Sequence, residues 1–157
     1  MIRKLLLAAA LTFPLSAHAA TVSASQPDSV VKALAAAGHR AELVKDDFGD
    51  PQINAEIAGW KAIVLFYDCG ETHDKCRSLQ FRSSFDAPLG MMPDAALAFM
   101  RSNRFASVVL DQSKDPRLQW DLVTGDGIDS AVFDEAVNGF GSALAAMGKV
   151  VFPERAN

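Results

Sequence analysis

The sequence predicts an α+β domain in which an antiparallel sheet is packed by helices, in the order α-β-β-β-β-α-β-β-α. Three observations lead there. Three stretches carry apolar residues at helical spacing between proline or aspartate starts and glycine or asparagine ends. Six short runs are apolar or alternate with period two, separated by brief turns rich in Gly, Asp or Pro. Strands and helices do not alternate one for one, which removes the parallel βαβ architecture. With 157 residues, 50% hydrophobic and 22% charged, the chain can fill one core, and both a multidomain machine and a disordered polypeptide are excluded.

Residues 21–26 are small and polar and are expected to fray. Pro27 opens the first helix with Asp28 in its first turn, Val30, Val31, Leu34 and Ala35 form one face, and Gly38 closes it. A strand over residues 41–44 leads into an acidic turn at Asp46, Asp47, Gly49 and Asp50, read as solvated rather than calcium-binding. Ile53, Ala55 and Ile57 share a face of the strand over 52–57, Ala58-Gly59 turns the chain, and residues 60–67 form a more central strand. The next strand covers 76–85, with Leu79 and Phe81 inward.

Past the breaker stretch 88–93, residues 94–102 read as a helix with Leu97 and Met100 at a spacing of three, and Asn103 is suited to leave it in a left-handed conformation. Strands over 105–111 and 118–123 flank a turn containing Ser113, Lys114, Asp115 and Pro116, and Leu118, Trp120 and Leu122 share one face. Gly125-Asp126-Gly127 breaks the pattern. Asp129 or Ser130 caps the last helix, whose stripe is Phe133, Ala136, Val137, Phe140, Leu144 and Met147, and Gly148 is expected to end it.

The first nineteen residues have the three-part order of a secretory signal peptide: Arg3 and Lys4, an apolar stretch over 5–15, then Ala17-His18-Ala19. The apolar stretch is shorter than the about 20 residues of a membrane span, and Pro14 interrupts it. Cleavage between Ala19 and Ala20 would leave a soluble product, periplasmic or secreted, with no stable membrane anchoring. Loss of Arg3 and Lys4 moves the net charge from −4 to −6. A net acidic chain repels phosphate backbones and anionic lipid, so no nucleic acid partner is expected.

Cys69 and Cys76 are the two cysteines, and an oxidising compartment lets them pair. They flank a polar loop between two strand-like runs, so the first reading is a disulfide at the neck of a hairpin. Closing that ring stabilises by about 2.5 kcal/mol on the chain-entropy account. Two alternatives stay open. With His73 and Asp74 or Glu71 the pair could bind zinc, although Cys-x3-His-x2-Cys is not a common pattern. A redox pair is the other, although that chemistry usually uses Cys-x-x-Cys at a helix start.

Acyl transfer needs a nucleophile beside a base, and beyond the leader the imidazoles are His39 and His73, neither within a catalytic motif. Gly139-Phe140-Gly141-Ser142 sits in an apolar helical stripe and reads as packing rather than a nucleophile elbow. Asp111, Asp115, Asp121 and Asp126 offer carboxylate pairs for glycoside cleavage, with nothing in their spacing to show that they converge. Asp111-x-Ser113-x-Asp115 imitates a calcium loop but fails at Pro116 and Leu122, and Gly125-Asp126-Gly127 fails the phosphate-loop spacings. Arg77, Arg82, Arg101, Arg104 and Arg117 are scattered and read as solvated. No catalytic, cofactor-binding or metal-ligating residue is assigned.

Trp60, the loop from Cys69-Gly70 to Cys76, Asn103-Arg104-Phe105, Leu110-Asp111, and the run from Leu118 through Trp120-Asp121 to Gly127-Ile128 together resemble the YbjN-domain family of bacteria. The likeness covers a domain over residues 27–148. It implies a fold like that of type III secretion chaperones and a role in regulating sensory transduction, by binding proteins rather than transforming substrates. Phe99-Met100 stands where the family often has Trp-Asn, and Phe140 lies near a common tryptophan position, so apolar bulk is kept. The expectation is an exported, non-enzymatic module that uses an open sheet face or a helix groove to hold a protein or peptide partner, regulatory or chaperone-like in the periplasm, with a homodimer as one assembly it could form. The runner-up is a small secreted hydrolase or metal-binding protein built on the Asp111 to Asp126 region or His73. A third reading is a sensor whose disulfide responds to redox stress.

Overall fold

The computed structural model describes residues 21–156; the leader and the junction at Ala19 and Ala20 lie outside them. The elements run β1 (Thr21–Val22), α1 (Pro27–Ala36), β2 (Arg40–Lys45), β3 (Pro51–Ile57), β4 (Trp60–Tyr67), β5 (Ser78–Ser84), α2 (Pro93–Ser102), β6 (Ala106–Leu110), β7 (Pro116–Val123), β8 (Ile128–Asp129) and α3 (Ser130–Val151), then a 3₁₀ turn at Pro153–Ala156. Six strands form one antiparallel sheet in the order β2-β3-β4-β5-β7-β6, and β1 pairs with β8 in a second, two-stranded sheet. This is the α+β class expected, with two short strands added.

Local chemistry explains most element boundaries. Pro27 and Pro93 each occupy the first turn of a helix, where a missing N–H costs nothing, and Asp28 and Asp94 follow at the positive end of the dipole. Ala58 and Gly59 both have positive φ, 52° and 79°, the two-residue turn whose twist matches the β3–β4 hairpin. The Asp129 carboxylate accepts from the Ala131 N–H at 2.8 Å and caps α3.

Burial is one-sided. Ile53 and Ile57 of β3, Ala62, Val64 and Phe66 of β4, Leu79 and Phe81 of β5, and Leu118 of β7 meet Val30 and Leu34 of α1 and Phe133, Val137, Phe140, Leu144 and Met147 of α3. Phe81 contacts Phe133 and Phe140 with ring centroids 6.0 and 5.6 Å apart. The buried hydroxyls are partnered: Ser83 donates to the Lys61 carbonyl at 2.8 Å, and Thr124 accepts from the Ala24 N–H at 2.9 Å.

Four local expectations are corrected. Residues 21–26 are not frayed: Thr21–Val22 pairs with Ile128–Asp129, and Val22, Ser23 and Ala24 are buried, because Thr124 and Ser29 supply hydrogen bonds to this segment. The inner face of α2 is Ala96 and Phe99, while Leu97 is exposed; the aromatic ring has more apolar area to bury than either residue of the Leu97 and Met100 pair. Asn103 is extended at φ −125°, and the left-handed residue is Phe105 at φ 66°, whose ring lies 5.6 Å from that of Trp120. Gly148 does not end α3, which continues to Val151; the glycine lets the Trp60 indole lie against the helix backbone.

Candidate functional site

All three helices lie on one side of the six-stranded sheet or at its margins, and the other side is open. Strand alternation and register place its residues in rows across the strands. One row runs Arg40, Glu56, Lys61, Ser84, Arg117, Val109; the next runs Glu42, Asn54, Ile63, Arg82, Gln119, Ser107; a third runs Val44, Gln52, Leu65, Gln80, Asp121. Tyr67, Ser78 and Val123 continue the fourth.

A hydrogen-bonded network holds the middle of this face. The Arg82 guanidinium donates to Gln80 Oε1 at 2.7 Å and to the Tyr67 hydroxyl at 3.1 Å. Gln119 Nε2 donates to the same Gln80 oxygen at 3.3 Å, and Gln80 Nε2 donates to Asp121 at 2.8 Å. Arg40 and Glu56 form an ion pair at the β2 margin. Between these polar groups lie the half-buried Val44 and Ile63 and the buried Leu65. Fixed polar groups alternating with aliphatic ones supply both parts of a recognition surface: directed hydrogen bonds and area to desolvate.

The face has shape and polarity. A shallow depression of about 700 Å³ spans Arg40, Glu42, Asn54, Glu56, Lys61, Ile63, Arg82 and Ser84. A second, of about 510 Å³, lies toward the β2–β3 turn and includes Asp46, Asp47, Asp50, Asp68 and Phe48, the last 82% exposed. Charges of both signs line the first depression, with Arg40, Lys61 and Arg82 beside Glu42 and Glu56, while four aspartates line the second.

Cys69 and Cys76 are bonded, with Sγ atoms 2.16 Å apart, across the loop that joins β4 to β5. Cys76 is buried and precedes β5, which starts at Ser78 rather than at the cysteine itself. The loop is fastened to the β2–β3 turn by His73 Nδ1 and Asp50 Oδ1 at 2.8 Å. Asp74 is engaged by Thr72 Oγ1 at 2.7 Å. The cysteines are thus bonded to each other, His73 is paired with Asp50 and Asp74 with Thr72, and among the described residues no three His, Cys, Asp or Glu side chains form a metal-ligating group.

The carboxylates weighed for hydrolysis do not gather at one site: Asp111 and Asp115 share the turn between β6 and β7, apart from Asp121 and Asp126. Asp111 accepts from the backbone of Ser113 and Asp115 at 2.8 and 2.9 Å, an Asx turn, and Asp115 accepts from the Ala87 N–H at 2.7 Å. Asp126 is at the far end of β7, beside Arg77 at 3.6 Å, and Asp121 belongs to the open face. An eight-residue strand separates the ends by about 25 Å, well beyond glycosidase spacing. Of the five arginines read as scattered, Arg82 and Arg117 share the open face, Arg77 meets Asp126, Arg104 lies over the Phe105 ring at 5.2 Å, and Arg101 is exposed in the last turn of α2. Sequence reasoning offers an open sheet face or a helix groove without choosing between them, because a half-polar strand looks the same whether its polar side meets water or a partner.

No helix among the described residues is long and apolar enough to cross a membrane. No curated protein matches the chain. The signature of the YbjN family, described as "Putative bacterial sensory transduction regulator", matches residues 26–152. That span takes in every strand of the six-stranded sheet and all three helices, and with it the chain belongs to the YbjN family.

Proposed function

We propose that this chain is an exported, non-enzymatic module that binds a protein or peptide partner on the open face of its six-stranded sheet, in a regulatory or chaperone-like role in the periplasm. The observation that carries the reading is the one-sided sheet, whose uncovered face holds Arg82, Gln80, Tyr67 and Asp121 in a fixed network around Ile63 and Leu65. A family described by regulation rather than by a reaction supports a binding role. Export is supported by the leader pattern and by a cystine that an oxidising compartment preserves. The net negative charge and the mixed charges of the face favour a polypeptide ligand over a polyanion.

Affinity capture from periplasmic extract tests the reading, with the wild type compared against Ile63→Asp and Val132→Asp. Val132 is exposed on α3, away from the face. Bands retained by the wild type and Val132→Asp but lost with Ile63→Asp are expected; identical bands for all three would remove the open face as the binding surface. Cell fractionation and N-terminal sequencing test export, with a mature start at Ala20 expected.

A further inference from the structure

We propose that two copies of this chain pair antiparallel through the free edge of β2, with Leu43 facing Leu43 across the two-fold axis and the two sheets joined into one of twelve strands. The sheet has two edges, and the backbone treats them differently. At the β6 edge, the Asp111 N–H bonds the Asp115 carbonyl, so alternation turns the N–H groups of Ala106, Val108 and Leu110 away from β7. Two of those donors are taken: Ala106 bonds the Asn103 carbonyl at 3.4 Å, and Val108 bonds Met100 Sδ of α2 at 3.3 Å. A helix and its exit turn close that edge.

At the β2 edge, the Asp46 N–H bonds the Asp50 carbonyl at 2.9 Å, so Arg40, Glu42 and Val44 exchange bonds with β3 while Ala41, Leu43 and Lys45 turn their backbone groups outward. Pro51 opposite Lys45 fits this alternation, since its missing N–H falls where β2 needs none. No hydrogen bond from another described residue reaches these outward groups, and Leu43 is 40% exposed. An edge with unpaired donors and acceptors is a template for another strand.

Charge selects a second copy of β2 as that strand, and selects its register. Three antiparallel self-pairings engage two or more outward residues of each strand. Centring on Glu42 sets Glu42 against Glu42; centring on Val44 sets Glu42 against Asp46; both oppose like charges directly. Centring on Leu43 engages Ala41, Leu43 and Lys45 together, sets Arg40 against Asp46 of the other copy, and opposes no like charges. Charged residues that elsewhere protect an edge from indiscriminate pairing here reject the wrong alignments. The pairing is independent of what the open face binds and would double that face.

Light scattering after size exclusion, from micromolar to millimolar concentration, tests the pairing. The purified protein is expected to approach twice the chain mass, and Leu43→Lys to weaken association about tenfold or more by placing two ammonium groups at the axis. Val109→Lys on the β6 edge is expected to leave it unchanged. Leu43→Cys is a second reading that does not depend on the charged variant folding: a bonded pair sets Cα atoms about 5.5 Å apart, within disulfide reach. Oxidised Leu43→Cys protein is expected to run as a covalent dimer, and Val109→Cys is not. A wild type that stays monomeric throughout, a dimer indifferent to Leu43→Lys in folded protein, or a Leu43→Cys variant that does not cross-link overturns the pairing.

Discussion

The Trp120 indole occupies the space that a side chain on Gly139 would need: a Cβ there would stand 2.7 Å from Trp120 Cη2. Gly148, nine residues on, bears the same relation to Trp60, so the long helix α3 rests on two tryptophans of the sheet through glycines. Gly141 differs, since its Cβ would meet Ile57 Cγ2 at 3.5 Å and Ala58 Cβ at 3.6 Å, ordinary contact.

Substituting alanine at these three positions therefore has opposite signs. Alanine is worth about 1 kcal/mol over glycine in a helix interior, and overpacking costs about 1–3 kcal/mol. Gly141→Ala should raise the thermal midpoint, while Gly139→Ala and Gly148→Ala should lower it, as read by circular dichroism melts.

Thr124 ties the N-terminal segment to the disulfide end of the sheet. Its buried hydroxyl accepts from the Ala24 N–H at 2.9 Å and donates to the Arg77 carbonyl at 3.2 Å. Thr124→Val leaves a buried donor unpaired and should cost about 1–3 kcal/mol in urea denaturation, while Thr124→Ser should recover most of it. Equal stability for Val and Ser would mean that the hydroxyl has no such role.

Gly127 has φ +142° and lies against the Thr21 side chain at the β1–β8 pairing. Gly127→Ala meets both an unfavourable backbone region and a steric clash. Amide exchange at Val22 and Ile128 should accelerate relative to exchange in β4, because the two-stranded sheet opens while the six-stranded one holds.

Replacing Cys69 and Cys76 together by serine should lower stability by about 2.5 kcal/mol, the chain-entropy value for an eight-residue ring. The native β4–β5 register, Tyr67 opposite Ser78, should survive, because apolar pairs such as Val64 with Phe81 also hold it. Chemical denaturation and cross-strand nuclear Overhauser contacts read the two effects separately.

Much of the fold is legible in the chain because its signals are local. Pro27, Gly38, Ala58-Gly59 and Asp129 mark turns and ends by backbone chemistry that needs no distant partner, and the stripe from Phe133 to Met147 declares the face of α3. The slips share one cause. Residues 21–26, Gly148 and α2 each look locally polar, helix-ending or equally amphipathic on two faces, and each is decided by a residue far away: Thr124, Trp60 and the sheet under Phe99.

The sequence by itself determined the class of the domain, the order of its helices and main strands and the turn chemistry, since each depends on spacing within a few residues. Only the tertiary structure decided that the candidate carboxylates are split between the two ends of β7 and the open face, that this face of the sheet is left uncovered and that β2 rather than β6 has a free edge. Those outcomes depend on where remote elements pack against one another, and alternation along a single strand reads the same in either case.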